Sequence, residues 1–188
     1  MVAVGWISMV CLGVLIIWCI YTYNAFRDRQ SMIDFWWDEA EAHLRLRRDL
    51  IPSLVDRARP LMASETPTLE RIAGIREDII RDELHPENGG GDDETEHLEN
   101  KLSAAMLSLS SSFRDNRSVQ MNPELLTVMS ELVSIEGRAV TACEEYNKLT
   151  NDYNSSIKRF PANLVAGMLH FNPREKRIFG TWDEAPNC

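Results

Sequence analysis

The chain has 188 residues, with 29 acidic and 20 basic side chains and a formal net charge of −9. This acidic balance argues against nucleic acid as a partner, because phosphates attract basic surfaces. The four cysteines form no CxxC pair and no Cys/His zinc spacing, which argues against a disulfide framework or a zinc module and favours a reducing compartment.

An uncharged apolar run comes first, at residues 2–21: VAVGWISMVCLGVLIIWCIY. At 1.5 Å per residue in a helix, such a run spans roughly the 30 Å of a bilayer core. A cleaved signal peptide would need a basic segment before the run and a small-x-small site after it, and neither is present. We therefore predict an uncleaved, single-pass transmembrane anchor over residues 1–23, with the lipid bilayer as the partner of residues 2–21.

The first basic residues, Arg27 and Arg29, lie just after this run. Lys and Arg that flank a membrane span are retained on the cytoplasmic side. The positive-inside rule therefore predicts that residues 24–188 lie in the cytoplasm.

The segment that follows the anchor repeats its apolar residues every three or four positions over 24–62, which predicts a helix. Pro52 lacks a backbone donor and is expected to bend this helix near residues 48–49. Arg47 falls on the apolar stripe, where a charge needs a partner. An ion pair with a carboxylate of another helix, fixing the register of a bundle, is the favoured interpretation, and a ligand-binding arginine is the alternative.

The second helix is predicted to begin with Thr66 as its N-cap and Pro67 in its first turn. It ends before residues 85–95, where three consecutive glycines stand among charged and amide side chains. This composition predicts a mobile acidic loop rather than a phosphate-binding P-loop, because no Lys or Thr follows the glycines as that motif requires. A third helix is expected over 95–113, followed by a connection at 114–121.

The fourth helix is predicted to be the longest. Asn122 is placed as its cap and Pro123 at its first position, and Pro161 ends its apolar stripe. Glu136 lies beside this stripe and is a candidate partner for Arg47.

The remaining segments are short. Residues 163–171 are apolar and are expected to fold back as a cap, and residues 173–188 are expected to be a loosely ordered tail. The predicted fold is all-α, with an N-terminal transmembrane helix followed by an antiparallel bundle of about four long helices over 24–172.

Two aromatic-amide pairs stand out on the fourth helix. Tyr146 and Tyr153 are seven residues apart and share one face, where their rings pack and their hydroxyls need partners. Asn147 and Asn154 stand next to them and are expected to bond a neighbouring helix. This indicates residues that specify the fold, with a ligand site as the alternative.

Two blocks of motif residues, an early one and a late one, carry a resemblance to a known family. They comprise, in chain order, Tyr23-Asn24, Arg47-Arg48-Asp49-Leu50-Ile51-Pro52, Tyr146-Asn147, Tyr153-Asn154 and Phe160-Pro161. In this order, after a single N-terminal span, they resemble the LemA family of bacterial membrane-anchored proteins over nearly the whole chain.

The resemblance implies one span in the bacterial inner membrane and a cytoplasmic bundle, with no established enzymatic activity and no cofactor. From the chemistry of their side chains, the motif residues, together with Glu136, are interpreted as structural. The chain departs from the family pattern at Cys143, where an arginine is usual, and at Ser53, where an asparagine is common. The first departure removes one partner from a buried ionic network. Some magnetosome-associated proteins also belong to this family.

Metal binding is the sharpest enzymatic alternative. Asp82-x-x-His85 and Glu94-x-x-His97 flank the glycine loop, and helix bundles with paired carboxylate and E-x-x-H ligands hold di-iron centres. Both motifs stand at predicted helix ends rather than at mid-helix, so short chance matches explain them better. No histidine accompanies a nucleophile motif, so no catalytic residue is assigned.

We therefore expect a membrane-anchored cytoplasmic scaffold or adaptor without enzymatic activity, which binds a protein partner or another copy of itself. An amphipathic partner helix in a groove is the mode that such a fold offers. The alternatives are a metal-binding or metal-dependent protein that uses the glycine loop, a membrane-remodelling or magnetosome-type organelle component, and a sensor that couples the span to the bundle.

Overall fold

The computed structural model describes residues 2–84 and 92–177, and this part of the chain is almost entirely helical, with no strand. In chain order the elements are α1 Val2–Ala58, a 3₁₀ turn Ala63–Glu65, α2 Thr66–Leu84, α3 Asp92–Asp115, α4 Arg117–Gln120, α5 Pro123–Lys158 and α6 Ala162–Met168. The predicted all-α class is confirmed.

Helix α1 is continuous from the apolar run into the predicted first helix of the bundle, over 57 residues with Pro52 inside it. Most large apolar side chains between Trp6 and Ile20 are 49–70% exposed, so no other part of the described chain covers them. By length and composition, α1 is the one described helix able to cross a membrane. Contact with water is unfavourable for such a large apolar surface, so the surface suits a lipid environment.

The described residues form two compact units. The first unit combines residues 2–37 with 144–176, and the second combines 38–84 and 92–143 with residue 177. Helices α1 and α5 contribute residues to both.

The core of the first unit is aromatic. Its buried residues come from α1, α5 and α6, and they are Phe26, Ile33, Tyr146, Tyr153, Ile157 and Ala166. The rings meet edge-on, as quadrupoles favour: the Phe26 and Tyr153 centroids are 6.3 Å apart at an interplanar angle of 84°. The two tyrosines share one face of α5, as their spacing of seven predicts.

The core of the second unit is aliphatic and larger. Its fully buried side chains come from the predicted stripes of α1, α2, α3 and α5, and they include Ile51, Leu54, Leu69, Ile72, Ile79, Leu102, Leu125 and Leu132. The three-four periodicity of the sequence thus identifies the inner face of each long helix.

Two helix starts test the predicted caps. The backbone N–H of Leu125 donates to Asn122 Oδ1 at 3.0 Å, so the cap of α5 is confirmed. The prediction of Thr66 as N-cap is wrong. Its φ of −48° and ψ of −44° are already helical, and its hydroxyl donates to the Ala63 carbonyl at 2.9 Å. The 3₁₀ turn before it leads directly into α2.

Two segments are more helical than predicted. Helix α3 begins at Asp92, inside the predicted loop 85–95, because acidic residues favour a helix N-terminus. Residues 85–91 of that loop lie outside the described residues. The predicted connection 114–121 contains α4, which Asn116 caps by accepting from the N–H groups of Ser118 and Val119.

Helix α6 ends in a left-handed residue. His170 has a φ of 57°, and the N–H of Phe171 donates to the Ala166 carbonyl at 3.0 Å. This is the Schellman arrangement, in which glycine usually occupies the left-handed position because it has no Cβ.

We expect His170→Gly to raise the free energy of unfolding by about 0.5–1 kcal/mol, because glycine adopts the left-handed conformation without strain. Thermal unfolding of the full chain in one detergent measures the change. The matched control is His170→Ala, which keeps a Cβ and should not stabilise. Equal stability of the glycine and alanine variants would contradict the expectation.

Candidate functional site

A buried ion-pair network occupies the second unit. The Arg47 side chain is 2% exposed, and its Nη1 donates to Glu136 Oε2 and to Ser103 Oγ, each at 2.8 Å. Its Nη2 pairs with Glu99, whose side chain is 1% exposed. Three carboxylate or hydroxyl groups from α3 and α5 therefore surround one guanidinium of α1.

The neighbouring Arg48 extends the network to α2. It pairs with the other oxygen of Glu99 and with Glu83 Oε1, the latter at 2.5 Å. Arg76 of α2 donates from Nε to the Arg48 carbonyl at 2.8 Å. All four long helices thus contribute a charged side chain to the network.

Desolvation and pairing compete within this network. Burial disfavours the charge of Arg47, but Glu99 and Glu136 outweigh it and raise the pKa of the guanidinium above its ordinary value. For Glu136 the balance goes the other way, because burial raises the pKa of its carboxyl although Arg47 opposes the shift. Arg47 Nε has no hydrogen-bond partner among the described residues.

Sequence reasoning located part of this network. It paired Arg47 with Glu136, and the structure brings these two together. It missed Glu99 and Ser103, which are four residues apart and follow directly after the apolar Leu98 and Leu102. A polar pair at helical spacing beside the inner stripe is the signal that would have indicated them.

A second polar cluster lies in the first unit, where side chains of α5 form hydrogen bonds with the main chain of residues 172–175. Tyr146 donates its hydroxyl to the Glu175 carbonyl at 2.8 Å, and Tyr153 donates to the Asn172 carbonyl at 3.2 Å. Asn154 accepts from the Arg174 N–H at 2.9 Å and donates to the Arg174 carbonyl at 2.8 Å. We call this cluster the backbone clamp.

The backbone clamp corrects two expectations. Asn154 binds the main chain of an irregular segment, not a neighbouring helix, because that segment has unpaired N–H and C=O groups to satisfy. The prediction of a loosely ordered tail over 173–188 is wrong for residues 173–175, because hydrogen bonds from α5 hold this part of the main chain in place. Residues 178–188 lie outside the described residues.

The buried phenol of the clamp has a second partner on α1. Gln30 Nε2 donates to the Tyr153 hydroxyl at 3.0 Å. Burial raises the pKa of Tyr153, so this hydroxyl stays protonated and able to donate.

Several other motif residues are exposed. The Tyr23 ring lies 5.9 Å from that of Phe171, whereas Asn24, Asp49 and Pro52 are exposed. The Phe160–Pro161 peptide bond is cis, and Phe160 is 76% exposed.

Three of the four candidate metal ligands of the alternative interpretation lie in the described part of the chain. Asp82 accepts from the Thr95 hydroxyl at 2.5 Å, and Glu94 and His97 are exposed. His85 lies outside the described residues. Within 2–84 and 92–177, no three His, Cys, Asp or Glu side chains are grouped to hold a metal ion.

We expect Arg47→Met to lower the free energy of unfolding by about 3–5 kcal/mol, because it leaves buried carboxylates uncompensated. Adding Glu136→Leu removes one of those carboxylates, so the double variant should lose less than the sum of the two single variants. Denaturant unfolding of all four proteins gives the coupling energy, expected to be at least about 1 kcal/mol. Additive losses would show that the two side chains do not interact.

The raised pKa of Glu136 predicts a pH dependence. Above the ordinary value of 4.5, the folded state binds more protons than the unfolded state, so the stability linked to this group falls as pH rises through the folded pKa. Glu136→Gln should remove this decline. Unfolding free energies measured over a pH series test it, with the exposed Glu131→Gln as the matched control. A wild-type slope in the Glu136→Gln variant would contradict it.

A comparison with protein-family models matches residues 36–187 to the LemA family, beginning after the apolar run. A comparison with curated proteins finds no match to the chain. The matched range covers most of the chain, and it includes the Arg47 network and the residues of the backbone clamp. The chain therefore belongs to the LemA family.

Proposed function

We propose that this protein is a membrane-anchored helical scaffold or adaptor of the bacterial inner membrane, without enzymatic activity. Helix α1 carries the proposal, because one unbroken helix joins the apolar run to core positions such as Phe26 and Ile51. A partner bound to the helical units would thereby be held at the membrane.

The charge pattern supports a cytoplasmic location for the helical units. Arg27 and Arg29 are exposed on α1 just beyond the apolar run. Such residues resist translocation, so they orient a span with their own side in the cytoplasm.

The use of the buried charges supports a structural role. Arg47 and Glu99 are 1% exposed, and their charged groups pair within the network. A catalytic group has to reach a substrate, whereas groups enclosed in this way fix the register of helices.

An apolar row on α5 supports a helical partner. Leu126 and Val133 are 44% and 56% exposed and seven residues apart, with the half-buried Met129 and Val140 on the same face. Apolar residues at this spacing form the seam against which an amphipathic helix packs. A solvated helix face would carry polar residues at these positions.

The test is photo-crosslinking in intact membranes with a light-activated residue at Leu126 or Val133. We expect a discrete crosslinked product from both positions, because the row is covered by the partner. Glu131, exposed on the other flank of α5, is the matched control and should give none. The product's mass distinguishes a second copy of the chain from another protein.

The introduction of charge provides the complementary variant. Leu126→Glu with Val133→Glu should abolish the crosslink formed from Met129 and leave the fold intact, because both side chains are exposed. No product from Leu126 or Val133, or equal products from Glu131, would overturn the docking role.

A further inference from the structure

A groove of about 650 Å³ opens in the first unit where α1 leaves the apolar run. One wall is α1 between Trp18 and Arg29. The other runs from Leu149 near the end of α5, through the connection that follows, to Ala162 at the start of α6. The volume lies within the range of small-molecule sites.

The side chains that line the groove change from apolar to charged along α1. Trp18 and Tyr21 belong to the end of the apolar run, and Arg29 lies eight residues beyond Tyr21, about 12 Å along the helix. The polar headgroup layer adds roughly 5–8 Å to each side of the bilayer core. Because side chains on a helix tilt toward its N-terminus, the Arg29 side chain extends back toward the headgroup layer.

The charged end of the groove suits an anion. Arg29 and Arg159 both line it and are exposed, and neither side chain forms an ion pair or hydrogen bond with another described residue. Asp152 also lines the groove, so its charged side chains sum to +1 in a chain of net charge −9. Ser155 and Ser156 add hydroxyls beside them.

An exposed apolar face continues the groove onto α6. Leu164 and Met168 are 59% and 80% exposed and four residues apart on α6, and Phe160, which is 76% exposed, lies just before this helix. The end of this segment is fixed beside α1 by Phe171, whose ring lies 5.9 Å from Tyr23 and 5.2 Å from Phe26. These α1 residues come two and five positions after Tyr21, so the apolar face lies at the height of the membrane interface.

We propose that this groove binds one anionic phospholipid of the leaflet next to the helical units. Arg29 and Arg159 hold its phosphate, and its glycerol and upper acyl chain lie along Trp18 and Phe160. The exposed face of α6 enters the same leaflet. The inference rests on the proposed membrane anchoring and adds a lipid site to it.

The test titrates the full chain, in a mild detergent, with phosphatidylglycerol, and counts bound lipid by native mass spectrometry. The wild type should retain one lipid. Arg29→Gln with Arg159→Gln should bind it at least tenfold more weakly, because two charge-assisted contacts are lost. The matched control is Arg27→Gln with Lys158→Gln, which removes the same charge from adjacent exposed positions that do not line the groove.

The control should bind phosphatidylglycerol like the wild type. Unchanged affinity in the Arg29 and Arg159 variant, an equal loss in the control, or displacement of the lipid by millimolar inorganic phosphate would each overturn the lipid site. Circular dichroism of each variant verifies its fold. Membrane anchoring is measured separately, by washing membranes with carbonate. Release of the wild type would overturn the proposed anchoring, whereas the lipid titration tests only the groove.

Discussion

A guanidinium removed from water is the constraint on which the second unit depends. Arg47 of α1 is buried, and the cost of moving a full charge out of water is several kcal/mol even after relaxation. Only helices that bring carboxylates to this one point can offset that cost. Glu99 and Glu136 do so, and Arg48 and Glu83 connect the same point to α2. Alternative registers of these helices would leave the charge unpaired.

We propose that such a network specifies an arrangement more than it adds stability. Replacing buried ion pairs by apolar groups of similar volume is often neutral or favourable, whereas aliphatic stripes alone permit helices to slide. The surrounding core of Leu, Ile and Met side chains supplies the apolar burial, and we propose that the network fixes the register of the helices. These separate roles would account for an arginine, Arg47, at a position of α1 where the apolar pattern predicts a residue such as leucine.

Periodicity, caps and one misplaced charge were enough to predict the long helices, their inner faces and the pair of Arg47 with Glu136. The sequence did not indicate the two-way binding of Asn154 to the main chain of residue 174, because every residue offers the same N–H and C=O groups and a backbone target leaves no pattern. The prediction of Thr66 as the N-cap of α2 was wrong for a similar reason. Its hydroxyl has two uses near a helix start, and the preceding 3₁₀ turn decided between them.

The backbone clamp has a consequence for variation among related chains. The hydrogen bonds that Tyr146, Tyr153 and Asn154 form with residues 172–175 go to carbonyl and N–H groups of the main chain. A substitution that keeps the main-chain path of this segment keeps these hydrogen bonds, whereas proline at position 174 would remove the N–H on which Asn154 depends. Arg174 has a further constraint, because its Nη1 donates to Asp34 Oδ1 at 2.5 Å.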